Sequence, residues 1–136
     1  MSGSTARTFV RPRKASLRPI PFPKPLLLCI EDDPIYLHLR KAVLEKEGYN
    51  VIGVTSAEEA LETLGEAPVR CIIADHMLKG QTGIDAAKEM KKIRPDVPII
   101  LYSGTNPETI QHVDVFINKG EPTTSFLQIV HDVVQR

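Results

Sequence analysis

Long apolar runs are missing from this chain. The longest, Leu26 to Ile30, is five residues, against the roughly 18 that a membrane-crossing helix needs. Cysteine is scarce as well. Cys29 and Cys71 each sit inside an apolar run, which excludes a disulfide framework and any cysteine-based metal-ligand spacing. Met1 to Arg18 lacks the apolar core segment of a secretory signal, and no internal repeat is present. What remains is the expectation of a reduced, cytoplasmic protein. At 136 residues it has material for one compact domain and not two, and an apolar fraction of 42% is ordinary for a globular chain.

Acid is absent up to Pro25, where Arg7, Arg11, Arg13, Lys14, Arg18 and Lys24 hold six of the seventeen bases. The zero net charge therefore conceals a basic start and a net acidic remainder. Pro12, Pro19, Pro21, Pro23 and Pro25 in the same stretch favour extended backbone and forbid a helix. Residues 1–24 read as a flexible basic arm, and 25–136 as the domain. The arm shares its arginines and its lack of acid with organelle transit peptides but has no amphipathic period. Phe9, Val10, Ile20 and Phe22 are apolar anchors by which it could dock on the domain.

From Leu26 onward the hydrophobic period alternates. Leu26–Ile30 reads as a strand buried on both faces. Asp33-Pro34 predicts an N-cap followed by proline at the first helical position, with Ile35, Leu39, Ala42 and Val43 as the inward stripe and Gly48 as the stop. Val51–Val54 is a second strand. Ser56 and Glu59 predict a capping box for a helix carrying Ala57, Ala60, Leu61 and Leu64 and ending at Gly65. Cys71–Ala74 is a third strand, followed by a helix over Ile84–Ile93. Pro98–Tyr102 and Val113–Ile117 are the fourth and fifth strands. A last helix starts near Thr123 or Thr124 and presents Phe126, Ile129, Val130 and Val133. Apolar strands joined by helices imply a doubly wound parallel sheet covered on both faces.

In such a sheet the site lies beyond the carboxyl ends of the strands. The first strand ends in Glu31-Asp32-Asp33, the third in Asp75, the fourth in Ser103-Gly104 and the fifth in Asn118-Lys119. Singly, each has an ordinary reading as a cap, a turn former or a surface charge. Together they do not. Two carboxylates about 5 Å apart repel by roughly 3 kcal/mol at an effective dielectric near 20, so a cluster of acids raises its own pKa values or calls for a cation. Lys119 supplies one charge. A hard divalent ion, Mg²⁺ by its preference for carboxylates and retained waters, supplies more.

The ordered set formed by Glu31-Asp32-Asp33-Pro34, Asp75 with Gly83 eight residues on, Ser103-Gly104 and Lys119 resembles the receiver domain (CheY-like) of two-component response regulators. That resemblance implies a flavodoxin-like (βα)5 fold with strand order 2-1-3-4-5. It also implies an aspartate that takes a phosphoryl group from a sensor histidine kinase or a phosphotransfer protein. Asp75 stands at the acceptor position, Asp32 at that of a direct Mg²⁺ ligand, and Glu31 at that of the acid holding metal-bound water. Met77 would offer a backbone carbonyl to the metal. Ser103 matches the switch hydroxyl, Phe116 the aromatic switch, and Lys119 the phosphoryl-binding lysine. Departures are Lys79 and Gly120 where prolines are common, and serine in place of threonine at Ser103. The interval from Ser103 to Lys119 is also short, so a reduced fourth helix, about one turn after Pro107, is expected.

The reading is a stand-alone phosphoacceptor without a DNA-binding domain, acting on an unknown downstream protein by phosphorylation-dependent binding. The alternative is a degenerate receiver that binds its partner without phosphorylation. A flavin-binding module fits the acid cluster poorly. A haloacid-dehalogenase-type phosphatase would need an aspartate where Met77 stands. The histidines share no metal spacing and read as surface or capping residues, and both cysteines as core thiols.

Overall fold

The computed structural model describes residues 23–136. Nearly all of the arm and its apolar anchors therefore lie outside the described residues. The elements in chain order are β1 (Leu26–Ile30), α1 (Pro34–Lys46), β2 (Asn50–Val54), α2 (Ala57–Glu66), β3 (Cys71–Ala74), β4 (Met77–Leu78), β5 (Gln81–Thr82), α3 (Gly83–Ile93), β6 (Ile99–Ser103), β7 (Val115–Asn118) and α4 (Thr123–Val134). Five strands form one parallel sheet in the order β2-β1-β3-β6-β7, which is the 2-1-3-4-5 arrangement expected from the sequence. β4 and β5 make a small antiparallel hairpin apart from it, turned at Gly80, whose φ of 81° suits glycine.

Local chemistry explains most boundaries. Asp33 accepts a hydrogen bond from Ile35 N–H at 2.9 Å, with Pro34 opening α1. Ser56 accepts from Glu59 N–H at 3.2 Å, while Glu59 reaches back to Thr55 N–H at 3.0 Å; this is a capping box displaced by one residue. Helix α2 passes through Gly65 and ends one residue later, at Glu66.

Because successive side chains alternate across a strand, the sheet divides the interior into two cores. Leu28, Ile30, Ile72, Ala74 and Ile99 pack with α2 and α3 on one face. Leu27, Cys29, Cys71, Ile73, Ile100 and Ile117 pack with α1 and α4 on the other. Each fully buried Leu or Ile contributes roughly 1.5–3 kcal/mol. Cys29 and Cys71 are free and buried, and burial pushes both thiols up to about 12. They are core residues and not nucleophiles.

Three expectations are corrected. First, α1 does not bury Ile35, Leu39, Ala42 and Val43. Ile35 is 70% exposed and Leu39 55%, while Leu37, Arg40 and Leu44 turn inward. The inner face contains an arginine, which a search for apolar stripes passes over. Second, no helical turn follows Pro107. Residues 104–114 are irregular, and β7 starts at Val115 because Asp114 accepts from Ile99 N–H and from Lys91 Nζ, each at 2.8 Å. His112 adopts a left-handed φ of 68° within this segment. Third, His131 is buried, with Nδ1 3.5 Å from the Tyr49 hydroxyl.

The orientation of α1 is testable by truncation. Leu44→Ala should lower the unfolding free energy by about 2–5 kcal/mol, whereas Leu39→Ala should cost less than about 1 kcal/mol. Urea denaturation of the two variants decides between the faces.

Candidate functional site

The carboxyl ends of β1, β3, β6 and β7 share one edge of the sheet. β1 leads into Glu31-Asp32-Asp33, β3 into Asp75, β6 ends on Ser103, and β7 leads into Lys119. Backbone bonds hold these ends in register. Glu31 N–H donates to Val54 O at 3.1 Å, Asp75 N–H to Ile30 O at 3.0 Å, and Lys119 N–H to Ser103 O at 2.8 Å. The order reverses between β1 and β3, so the acids flank the crevice where open parallel sheets place ligands.

Glu31, Asp32 and Asp75 each present a carboxylate oxygen, all within 4.8 Å of one another. Glu31 and Asp75 are buried, so solvent screens their repulsion little. Compensation comes from Lys119, whose Nζ lies 3.4 Å from Glu31 Oε1 and 3.5 Å from Asp75 Oδ1. Arg40 Nη2 donates to the same Glu31 oxygen at 3.2 Å. Two backbone donors complete the set: Asp33 N–H to Glu31 Oε2 at 3.3 Å and His76 N–H to Asp75 Oδ1 at 2.8 Å.

The two buried acids respond oppositely. Burial alone would push the Glu31 carboxyl up, but the Asp33 N–H, Lys119 and Arg40 together hold it below the ordinary range. For Asp75, burial followed by the charge of Glu31 prevails over Lys119 and the His76 N–H and raises its carboxyl above the ordinary range. One acid is anchored as a carboxylate, and the other is left more basic.

Gly83 closes this edge from the side of α3. Its N–H donates to His76 O at 2.7 Å, and a Cβ there would run into the Asp75 carbonyl oxygen and, at 2.7 Å, the Leu101 side chain. Only glycine allows the helix to begin this close to Asp75.

Of the residues singled out in the sequence, the structure brings Glu31, Asp32, Asp75 and Lys119 into one constellation. Ser103 is on the same edge and 1% exposed. Its hydroxyl bonds within its own loop, accepting from Thr105 N–H at 3.2 Å. Met77 is 65% exposed in β4, and Phe116 is half-buried on β7 beside Leu101. Sequence reasoning missed Arg40 and Tyr102. The signal for Arg40 was its spacing from Leu37 and Leu44, which puts a cation on an otherwise apolar helical face. The donor set at the edge is hard carboxylate oxygen, which fits Mg²⁺ and not a soft metal.

The raised Asp75 carboxyl has a consequence for stability. A folded state that holds a proton more tightly than the unfolded chain loses stability as pH rises from the ordinary value of 3.8 through the raised one. Without metal, Asp75→Asn should therefore be more stable than the native protein at neutral pH, and the difference should vanish near pH 3. Thermal melts across this range check it, and a destabilised Asp75→Asn at neutral pH would contradict it.

The response regulator receiver domain family model matches residues 27–120. The transcriptional regulatory protein AruR of Pseudomonas aeruginosa is 36% identical over 89 residues, covering 62% of this chain and 36% of AruR; the present chain thus spans about a third of that relative's length. The two-component response regulator ORR3 of Oryza sativa subsp. japonica is 30% identical over 97 residues, covering 69% of this chain and 74% of ORR3. Among solved structures, the response regulator TrrA of Thermotoga maritima in complex with Mg²⁺-BeF superposes with a TM-score of 0.75 at 24% identity, covering 80% of this chain and 98% of TrrA. With the fold, the strand-end residues and these matches in agreement, the chain belongs to the receiver domain family of two-component response regulators.

Proposed function

We propose that the chain is an active phosphoacceptor, with Asp75 receiving a phosphoryl group from the phosphohistidine of a sensor kinase or phosphotransfer protein. The observation that carries this reading is the Lys119 ammonium, 3.5 Å from Asp75 and 3.4 Å from Glu31, within a cluster of three converging acids. A degenerate site would be expected to lose part of that set.

Phosphoryl transfer passes through a loose transition state, so a protein contributes mainly by positioning groups and neutralising oxygen charge. An Asp75 carboxylate oxygen would attack phosphorus as the phosphorus–nitrogen bond breaks, and the imidazole would leave with a proton. Lys119 would move from sharing two carboxylates to binding a phosphoryl oxygen, and Ser103 would exchange its bond with Thr105 for a second one. The acyl phosphate so formed is labile, as a reversible signal requires. Asp32, Asp75 and the Met77 carbonyl are the residues we assign to Mg²⁺, with Glu31 acting through water. A bound Mg²⁺ would supply further neutralisation of the phosphoryl oxygens.

A phosphohistidine approaches Asp75 only if its protein sits on the rim of the site. There Ile35 (70% exposed), Tyr36, Leu39 and Met77 present large apolar side chains to solvent. The first turns of α1 and the β4 hairpin thus form a dockable apolar edge beside the acids, suited to a protein donor.

Incubation with acetyl phosphate or phosphoramidate and Mg²⁺ should add one hydroxylamine-sensitive phosphoryl group by intact mass. Asp75→Ala should add none, and Asp32→Asn should react at least tenfold more slowly. Modification of Asp75→Ala at the native rate would refute the assignment. A phosphoryl mimic bears on output. Residues 104–113, irregular and largely exposed, should exchange their amides fast in the free protein and more slowly with beryllofluoride. Equal protection in both states would show that this segment does not carry the signal.

A further inference from the structure

Arg40 has no part in the phosphoacceptor chemistry above, yet it is the side chain most unusually placed. It lies on the inner face of α1, only 9% exposed, and burying a guanidinium is costly unless it is paired. Nη2 sits 3.2 Å from Glu31 Oε1, the same oxygen that Lys119 Nζ reaches at 3.4 Å. The guanidinium carbon lies 4.9 Å from the centre of the Tyr102 ring, and that ring stacks on Phe126 at 4.5 Å. Nη1 is buried without a partner. The side chain is therefore held between an aromatic stack and one carboxylate, and its charge is directed at Glu31 alone.

The consequence for the cluster is electrostatic. Glu31, Asp32 and Asp75 bring three negative charges, and Lys119 offsets one. Arg40 offsets a second from the interior side, where water does not screen it. It also orients Glu31: one carboxylate oxygen is shared by the two cations, and the other accepts from Asp33 N–H. What the cluster then offers a cation from solvent is chiefly Asp32 and Asp75.

We propose that Arg40 is a built-in counter-cation of the acidic site, a positioning residue that holds Glu31 and weakens the affinity of the cluster for a divalent cation. The proposal rests on the metal reading above and adds to it. Arg40 sets how much Mg²⁺ is needed to load the site, at a position outside the ligands themselves. It acts through Glu31 and makes no contact with a transferred group.

Calorimetric titration with MgCl2, at fixed pH and ionic strength, tests this in the whole chain. Arg40→Met keeps an apolar stem against Tyr102 and removes the charge, and it should bind Mg²⁺ about tenfold more tightly, as loss of one nearby positive charge implies. Arg40→Lys keeps the charge and should stay within about threefold of the native affinity. Tighter binding is a gain that a merely damaged fold would not produce. Should Arg40→Met fail to give a cooperative melt, Arg40→Gln replaces it with the same expectation. Unchanged or weaker binding by the neutral variant, or equally tightened binding by Arg40→Lys, overturns the role of Arg40 while leaving the metal reading intact. Asp32→Asn separates the two: it should bind at least tenfold more weakly. Absence of binding in the native protein and the neutral variant alike overturns both.

Discussion

Convergence of carboxylates at the carboxyl edge of the sheet is the constraint around which this domain is arranged. Three acids within 4.8 Å of one another are tolerable only with cations beside them. Lys119 and Arg40 reach the cluster from opposite ends of the chain, one from the end of β7 and one from α1. Their meeting at a single oxygen of Glu31 ties α1, β1 and β7 together at the site. The stability of the edge and its capacity to bind a cation are thus one electrostatic problem.

The parallel sheet makes that arrangement rigid. Strand ends bonded to one another through the backbone and buried on both faces leave little freedom for the acids to separate. Burial, together with the repulsion of Glu31 held in place in this way, raises the Asp75 carboxyl and lowers the stability of the resting domain. Active sites commonly carry such a cost because the charge that opposes folding is the charge that does chemistry.

The side of the domain after Ser103 departs most from the regular alternation. Two strands, β6 and β7, are joined without a covering helix, by a segment held through Asp114 and a left-handed His112. Because Ser103 bonds to Thr105 inside this segment, any change in the bonding of Ser103 is felt there first.

Caps, turns and strand hydrophobicity are local, and so the five strands, the Asp33 and Ser56 caps and the residues ending each strand are legible in the order of amino acids alone. Alternation of strands and helices implied a parallel sheet covered on both faces but left its strand order open; the order came with the resemblance to receiver domains. Asp75, Glu31, Asp32 and Lys119 could be named because the polar residues that end buried parallel strands have one edge to share. The inward face of α1 was not legible. Two stripes competed on that helix, and the one with more apolar residues lost to the one containing Arg40, because an arginine becomes a core residue only when folding brings it a carboxylate and an aromatic ring. Likewise, the sequence named Ser103 but not its bond to Thr105, and it shortened the fourth helix without showing that none forms. The order of elements and the chemistry available at their ends belonged to the sequence by itself. Which charges meet, and therefore how strongly the site holds its proton or a cation, was decided by tertiary structure, because Coulomb energies depend on distances and burial that only packing sets.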